Sequence, residues 1–268
     1  MQFRLLTTGF SSAAMNMAID ESVLDHVASG NSQPTLRLYG WNPPAVSIGY
    51  FQSLEDELDL SACERFGVNY VRRVTGGGAV FHDKEITYSI HIPMSLGLVP
   101  TDILESYRAV SNGVIFGLRD FGLDVQFVPL NDLILNGKKI SGNAQTRKKG
   151  VILQHGTILL EVDVDKMFEL LKVPDEKMKG KMIETIKERV TSVSAVLLER
   201  HAGVDSTENG ATDFENLFNK TYDALKNGFC QAFPGVEFVD GGLSESEKSL
   251  AEKLAVEKYG SDEWNRKR

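Results

Sequence analysis

Two short segments carry the residue types most capable of chemistry, and the first is glycine-rich. It runs from Arg72 to Asp83 and holds three consecutive glycines, Gly76–Gly78, directly after Arg72 and Arg73. A glycine run costs backbone entropy, and it is useful where the main chain must approach a ligand closely. Freed backbone N–H groups can form an anion-binding concavity, and arginines can neutralise a phosphate or carboxylate. The segment therefore predicts either an anion-binding loop or a structural turn.

The second segment runs from Asn131 to Gly142 and contains a pair of lysines. Lys138 and Lys139 follow an Asn-Gly dipeptide. In isolation such a pair is typical of solvated surface. A lysine beside a glycine turn can also supply a point charge for a phosphate or carboxylate, and Asp132 can help to hold a divalent cation that bridges phosphates. Taken together, the two segments predict a site for an anionic, activated small molecule.

Two histidines, His82 and His155, fall in apolar surroundings. Each is by default a hydrogen-bonded core histidine, although each is also a candidate site residue. The sequence has no HExxH, EF-hand or zinc-type spacing, which disfavours those metal sites. It also has no G-x-S-x-G elbow, which disfavours an α/β-hydrolase.

The bulk composition narrows the class of protein. The 268 residues carry a formal net charge of −8, which argues against sequence-independent nucleic-acid binding because that needs a basic surface. The two cysteines, Cys63 and Cys230, give neither a disulfide framework nor a metal spacing, and both lie in helix-like patterns where we expect buried, inert thiols. The N-terminus lacks the apolar region of a signal peptide, and no stretch reaches membrane-spanning length. We expect a cytoplasmic protein without membrane association.

The periodicity of apolar residues predicts an α+β fold, because strands and helices are mixed without regular βαβ alternation. Residues 165 onward are predicted to be mostly helical, and the polar segment His201–Asp213 to be an exposed excursion. The predicted helices cover residues 12–27, 54–66, 101–121 and 213–233, and the predicted strands cover residues 35–39, 45–50, 68–73, 85–92, 124–128, 133–135 and 151–162.

Four segments resemble the lipoate–protein ligase family, within the wider biotin/lipoate ligase and octanoyltransferase group. They are residues 15–21 (MNMAIDE), 72–83 (RRVTGGGAVFHD), 131–133 (NDL), and 137–144 (GKKISGNA) followed by 155–160 (HGTILL). The resemblance implies a mixed, largely antiparallel sheet packed with helices, as in class II biotin/lipoate ligase catalytic domains. It implies that residues 1–268 form one such domain, without the family's C-terminal accessory domain.

The resemblance also implies a two-step reaction with ATP and Mg²⁺. Lipoate or octanoate would form an acyl-adenylate, and the acyl group would pass to a lysine of a lipoyl domain or of the glycine-cleavage H protein. A separate accessory-domain subunit is a further possible partner. Lys139 is the expected catalytic residue and Asp132 the expected metal ligand. The expected binding residues for ATP and lipoyl-AMP are Arg72, Arg73, Gly76, Gly77, Gly78, Ala79, Val80, Phe81, His82, Asn131, Asp132, Lys139, Ser141, Gly142 and His155.

The main alternative is an acyltransferase that moves octanoyl or lipoyl groups between carrier proteins without ATP. Relatives of that kind use a cysteine nucleophile, and neither Cys63 nor Cys230 matches one. On this ground the sequence favours the ATP-dependent ligase. A third possibility is a non-catalytic protein that binds an acyl-nucleotide or an acylated domain, and it is disfavoured because Lys139, Asp132 and the glycines are all present.

Overall fold

The computed structural model describes residues 1–172, 179–201 and 213–267. Most of the predicted polar excursion, residues 202–212, lies outside the described residues. No helix among those described is both long and apolar enough to cross a bilayer.

The described strands form a large sheet and a small one. The strands are β1 Gln2–Ser11, β2 Thr35–Trp41, β3 Ala45–Ile48, β4 Asn69–Arg72, β5 Val80–His82, β6 Glu85–Pro93, β7 Gln126–Val128, β8 Asp132–Leu135, β9 Lys138–Lys148, β10 Val151–Leu159 and β11 Glu237–Gly241. The large sheet has the order β11-β1-β2-β6-β10-β9-β8-β7, and the small sheet has the order β4-β3-β5. Only β1 with β11 and β1 with β2 pair in parallel in the large sheet, so that sheet is mixed and largely antiparallel.

Helices cover both faces of the large sheet. They are α1 Ala13–Ala28, α2 Leu54–Glu57, α3 Leu60–Arg65, α4 Ile103–Arg119, α5 Val164–Leu170, α6 Lys179–Arg189, α7 Val193–His201, α8 Phe214–Ala232, α9 Glu245–Leu254 and α10 Asp262–Asn265. Helices α4 and α8 pack on one face, in a core shared with β2 and β6. Helices α1 and α9 pack on the other face. A third apolar cluster joins the small sheet to α2, α3 and α5.

The fold class predicted from sequence is confirmed, whereas several individual elements differ. The predicted helix 54–66 is two helices, because Leu58 is extended and Asp59 caps a new helix at Ala62 N. Strand β1 was not predicted, and neither was β11, which lies in the part expected to be helical. The segment around Lys139 lies in the long strand β9 instead of a loop, because its alternating side chains pair with both β8 and β10.

A close approach between α4 and α8 yields a test of this packing. A Cβ placed on Gly228 of α8 would lie 2.1 Å from the Gly113 carbonyl oxygen and 2.3 Å from the Gly117 nitrogen, both in α4. These are backbone atoms that cannot move alone. We expect Gly228→Ala to lower the free energy of unfolding by about 1–3 kcal/mol, the usual cost of overpacking a core, as measured by urea denaturation.

Gly180 in α6 is the matched control, because a Cβ there would meet no atom within 4 Å. Gly180→Ala should be neutral or stabilising by up to about 1 kcal/mol, since alanine has the higher helix propensity. Equal stability changes in the two variants would show that α4 and α8 do not approach this closely.

Candidate active site

A cavity of about 150 Å³ opens where the small sheet meets the large one. Strands β2, β3, β5, β6, β9 and β10 contribute to it, together with α1 and the loop that holds the glycines. Its lining mixes apolar and polar groups, and the residues are Met17, Tyr39, Trp41, Ser47, Arg73, Gly77, Gly78, Ala79, Val80, His82, Thr87, Asn131, Lys139, Gly142, Asn143, Ala144, His155, Gly156 and Thr157. Such a lining suits a ligand with an apolar chain and a polar head.

Arg73 holds the glycine loop in place through hydrogen bonds to its carbonyl oxygens. Its guanidinium is buried and donates to the carbonyl oxygens of Gly76 at 2.9 Å and Gly78 at 2.7 Å. Burial lowers the pKa of Arg73 to about 10, so it remains charged at neutral pH. Within the described residues, nothing accepts a hydrogen bond from the backbone N–H groups of Gly77, Gly78 or Ala79. The loop therefore presents donors that a bound carbonyl or anion can use.

Lys139 lies at the start of β9, directly after the turn of the β8–β9 hairpin. The turn residues Asn136 and Gly137 have φ angles of 50° and 78°, as expected for an Asn-Gly hairpin. Lys139 Nζ forms an ion pair with Asp132 Oδ1 at 2.8 Å, and 43% of the lysine side chain is exposed. A Cβ on Gly142 would lie 3.1 Å from this Nζ, so the glycine leaves room for the lysine beside the cavity.

Two asparagines fix the hairpin against the neighbouring loop. Asn143 Nδ2 donates to the Asn131 carbonyl oxygen at 2.9 Å, and Asn131 Nδ2 donates in return to the Asn143 carbonyl oxygen. This reciprocal pair places both residues in the wall of the cavity.

A buried acidic group, Asp20 of α1, lies behind the cavity. Its carboxylate accepts from Arg37 Nη1 at 2.7 Å, from Ser89 Oγ at 2.8 Å and from Tyr39 Oη at 3.2 Å. Burial alone would raise the pKa of Asp20, but the Arg37 guanidinium, the hydrogen bond from His155 and the nearby His91 together outweigh it and hold that pKa well below its usual range. Asp20 is therefore ionised at neutral pH.

His155 joins this buried cluster to the cavity. Its Nδ1 lies 3.4 Å from Asp20 Oδ2, and its Nε2 lies 2.7 Å from Thr75 Oγ1. Burial lowers the pKa of His155 despite the nearby carboxylate. The imidazole is thus neutral at pH 7.

His82 forms a second polar chain in the same wall. Its Nε2 lies 2.7 Å from Ser47 Oγ, and its Nδ1 lies 2.7 Å from Glu85 Oε1. The ring stacks on Trp41 with a centroid distance of 3.9 Å. Both histidines that the sequence singled out are therefore hydrogen-bonded and also line the cavity.

The structure brings together most of the residues predicted for the site. Those in the cavity wall are Arg73, Gly77, Gly78, Ala79, Val80, His82, Asn131, Lys139, Gly142 and His155. Asp132 does not line the cavity, but it forms an ion pair with Lys139, which does. Gly76, Phe81 and Ser141 adjoin lining residues without lining the cavity. Arg72 is buried elsewhere, where it donates to the carbonyl oxygens of Trp264 and Asn265.

Several residues that line the cavity were not predicted from the sequence, including Ser47, Trp41, Asn143 and Thr157. Trp41 ends β2 and Ser47 lies in the next strand, β3, and nothing in their local pattern indicates a site. The Ser47 side chain becomes recognisable only through its contact with His82, which is 35 positions away.

Neither cysteine of the chain lines the cavity. Cys63 is buried in α3, and burial raises the pKa of its thiol to about 11. The sequence predicted that both thiols would be buried, but Cys230 in α8 is exposed. No thiolate therefore forms part of the wall described above.

Comparison with known proteins places this fold and cavity in the lipoate ligase and octanoyltransferase group. The sequence profile of the lipoyl protein ligase A/B catalytic domain matches residues 12–209. The chain belongs to this family, as the sequence motifs predicted.

Similar proteins extend over the whole chain. Octanoyltransferase LipM of Geobacillus kaustophilus is 38% identical over 289 aligned residues, covering 99% of this chain and 98% of the relative. Octanoyltransferase LipM of Clostridioides difficile is 37% identical, covering 100% of this chain and 99% of the relative. Among solved structures, a bi-partite lipoate protein ligase from Thermoplasma acidophilum has a TM-score of 0.81 at 32% identity, covering 99% of this chain and 96% of that one.

These relatives overturn the predicted ATP-dependent ligase activity. The relatives that are 38% and 37% identical over the full length are octanoyltransferases, and a transferase moves an acyl group that is already activated. The prediction of ATP and Mg²⁺ as cofactors is wrong for the same reason. The prediction of a ligase depended on the missing cysteine, but a glycine loop and a lysine can stabilise an acyl carbonyl in either reaction.

Proposed function

We propose that this protein is an octanoyltransferase that moves an octanoyl group from a thioester on a carrier protein to a lysine amine on an acceptor lipoyl domain or H protein. The observation that carries the proposal is the end-to-end similarity to octanoyltransferases of two bacteria. The cavity supports it, because an apolar wall including Met17, Trp41 and Val80 lies beside a group of hydrogen-bond donors.

The donors are suited to the charge that develops during acyl transfer. Attack on a thioester carbonyl places negative charge on its oxygen, and fixed donors that stabilise this charge accelerate the reaction. The backbone N–H groups of Gly77, Gly78 and Ala79 are available for this purpose. The Lys139 ammonium adds a mobile positive charge at the same wall.

The acceptor lysine imposes a second requirement, which is removal of a proton. A lysine amine has an ordinary pKa of about 10.4, so it reaches the site mostly as the ammonium and must lose a proton before it attacks. Histidine is the side chain that most often performs such proton transfers. Both His82 and His155 line the cavity.

The proposal is tested with an octanoylated acyl carrier protein, an unmodified lipoyl domain and no nucleotide. The intact mass of the lipoyl domain should increase by one octanoyl group, and a lipoyl domain whose acceptor lysine is replaced by arginine should stay unmodified. An unmodified wild-type lipoyl domain under these conditions, with a known octanoyltransferase active in parallel, would rule the proposal out.

A further inference from the structure

Resting on the proposed octanoyl transfer, we propose that Ser47 is the nucleophile that carries the octanoyl group as an ester between donor and acceptor, with His82 and Glu85 as its proton-transfer partners. The transfer then needs no thiol. The Ser47–His82–Glu85 chain supplies the activated nucleophile that the two cysteines, both outside the cavity, do not provide.

The hydrogen bonds around Ser47 define the direction of proton transfer. Arg73 Nη1 donates to Ser47 Oγ at 2.9 Å, so the hydroxyl hydrogen is free to point at His82 Nε2, 2.7 Å away. His82 Nδ1 in turn donates to Glu85 Oε1 at 2.7 Å. This is the tautomer in which Nε2 accepts the serine proton, as in hydrolases that use a serine, a histidine and a carboxylate.

The electrostatics favour loss of the Ser47 proton. The Arg73 cation lies within hydrogen-bond distance of the oxygen on which negative charge develops, in a site largely closed to water. Glu85 is buried, and its Oε2 has no partner among the described residues. A buried carboxylate with an unpaired oxygen is costly, and a proton arriving on His82 offsets that cost.

The position of Ser47 distinguishes it from the other hydroxyls nearby. Among the described hydroxyl side chains that line the cavity, only that of Ser47 is hydrogen-bonded to a histidine. Thr75 makes the same contact with His155 but does not line the cavity. Ser47 also pairs with Val80 across β3 and β5, which holds it beside the glycine loop.

The chemistry balances in two steps. In the first, Ser47 Oγ bonds to the thioester carbonyl carbon, its proton passes to His82 Nε2, the carbon–sulfur bond breaks, and the leaving sulfur takes the proton from His82. In the second, the uncharged acceptor amine attacks the ester carbon, the carbon–oxygen bond breaks, and the amine proton returns through His82 to Ser47 Oγ. The octanoyl group has then moved from sulfur to nitrogen with no other reactant.

The test traps the acyl-enzyme. Wild-type protein is mixed with octanoylated acyl carrier protein without acceptor, quenched in acid within one turnover, and mapped by peptide mass spectrometry. We expect one octanoyl group on Ser47. Ser47→Ala should lose this modification and slow transfer to the lipoyl domain by roughly 10²–10⁴-fold, the range of a positioned proton-transfer system.

Three further variants keep the result interpretable. Ser47→Cys retains a nucleophile and should carry the octanoyl group as a hydroxylamine-labile thioester, which also shows that the site still folds. The double variant Cys63→Ala/Cys230→Ala should be acylated as wild type, because neither thiol lines the cavity. Ser22→Ala removes a buried hydroxyl that bonds the Glu247 carbonyl oxygen, away from the cavity, and should keep full transfer.

The outcomes separate this inference from the proposed function. Transfer to the lipoyl domain by wild type with no acyl group on Ser47, or transfer at the wild-type rate by Ser47→Ala, would overturn the serine mechanism and leave octanoyl transfer standing. Acylation of another residue would do the same. Absence of both acylation and transfer in wild type would remove the proposed function and this inference together.

Discussion

Replacing Lys139 by methionine should reduce octanoyl transfer to the lipoyl domain by about 10²–10³-fold, the usual effect of removing one donor from a site that stabilises an oxyanion. Lys139 is the lysine that lines the cavity in the described chain, and its Nζ lies 2.8 Å from Asp132 Oδ1. Methionine keeps much of the length and apolar stem of the side chain but removes the charge. The decrease should therefore appear in kcat more than in KM.

Lys138→Met is the matched control, because Lys138 is adjacent in β9 but does not line the cavity. It should transfer octanoyl groups at nearly the wild-type rate. Gly142→Ala adds an independent variant, since the new Cβ would lie 3.1 Å from Lys139 Nζ and should slow transfer with the lysine still present. Equal rates for Lys139→Met and Lys138→Met would remove Lys139 from the reaction.

Asp20→Asn should cost about 3–5 kcal/mol of unfolding free energy at pH 7, the usual effect of removing one partner from a buried ion pair. The Arg37 guanidinium that bonds Asp20 is fully buried, so the substitution leaves a positive charge without its counterion. Urea denaturation monitored by circular dichroism measures the change. Asp25→Asn, also in α1, removes an exposed pair with Lys149 and should cost less than about 1 kcal/mol.

The pH dependence of the free energy of unfolding provides a second test of the buried ion pair between Asp20 and Arg37. The pKa of Asp20 lies well below its usual range in the folded protein, against about 3.9 in an unfolded chain. The contribution of the ionised Asp20 to the free energy of unfolding is therefore present above about pH 4. It is lost as the pH falls from about 4 toward the pKa of Asp20 in the folded protein. Asp20→Asn should be less sensitive to acid in this window. Parallel stability curves for Asp20→Asn and wild type would contradict the buried ion pair.

The sequence revealed the parts of the site that have a local signature. Three consecutive glycines and an Asn-Gly turn before Lys139 constrain the backbone by themselves, so their residues were predicted to share a site and do line one cavity. The α+β class followed from the order of strands and helices. Strand β9 was missed because its pairing with β8 and β10 decides its conformation, and its lysines and glycines resemble a loop.

Other parts depend on contacts between distant segments and have no local signature. Ser47 meets His82 only because β3 and β5 pair antiparallel. Asp20 meets Arg37 because α1 packs beside β2. The motifs also could not identify the reaction class. A loop and a lysine that stabilise an acyl carbonyl do not specify whether a thioester or an adenylate delivers the acyl group.

The proposed octanoyl transfer is tested most sharply by comparing two acyl donors for the same acceptor lipoyl domain. One reaction contains octanoylated acyl carrier protein without nucleotide, and the other contains free octanoate with ATP and Mg²⁺. We predict octanoylation of the acceptor lysine from the carrier protein and none from free octanoate. Octanoylation from free octanoate with ATP, together with none from the carrier protein, would contradict the assignment of this protein as an octanoyltransferase.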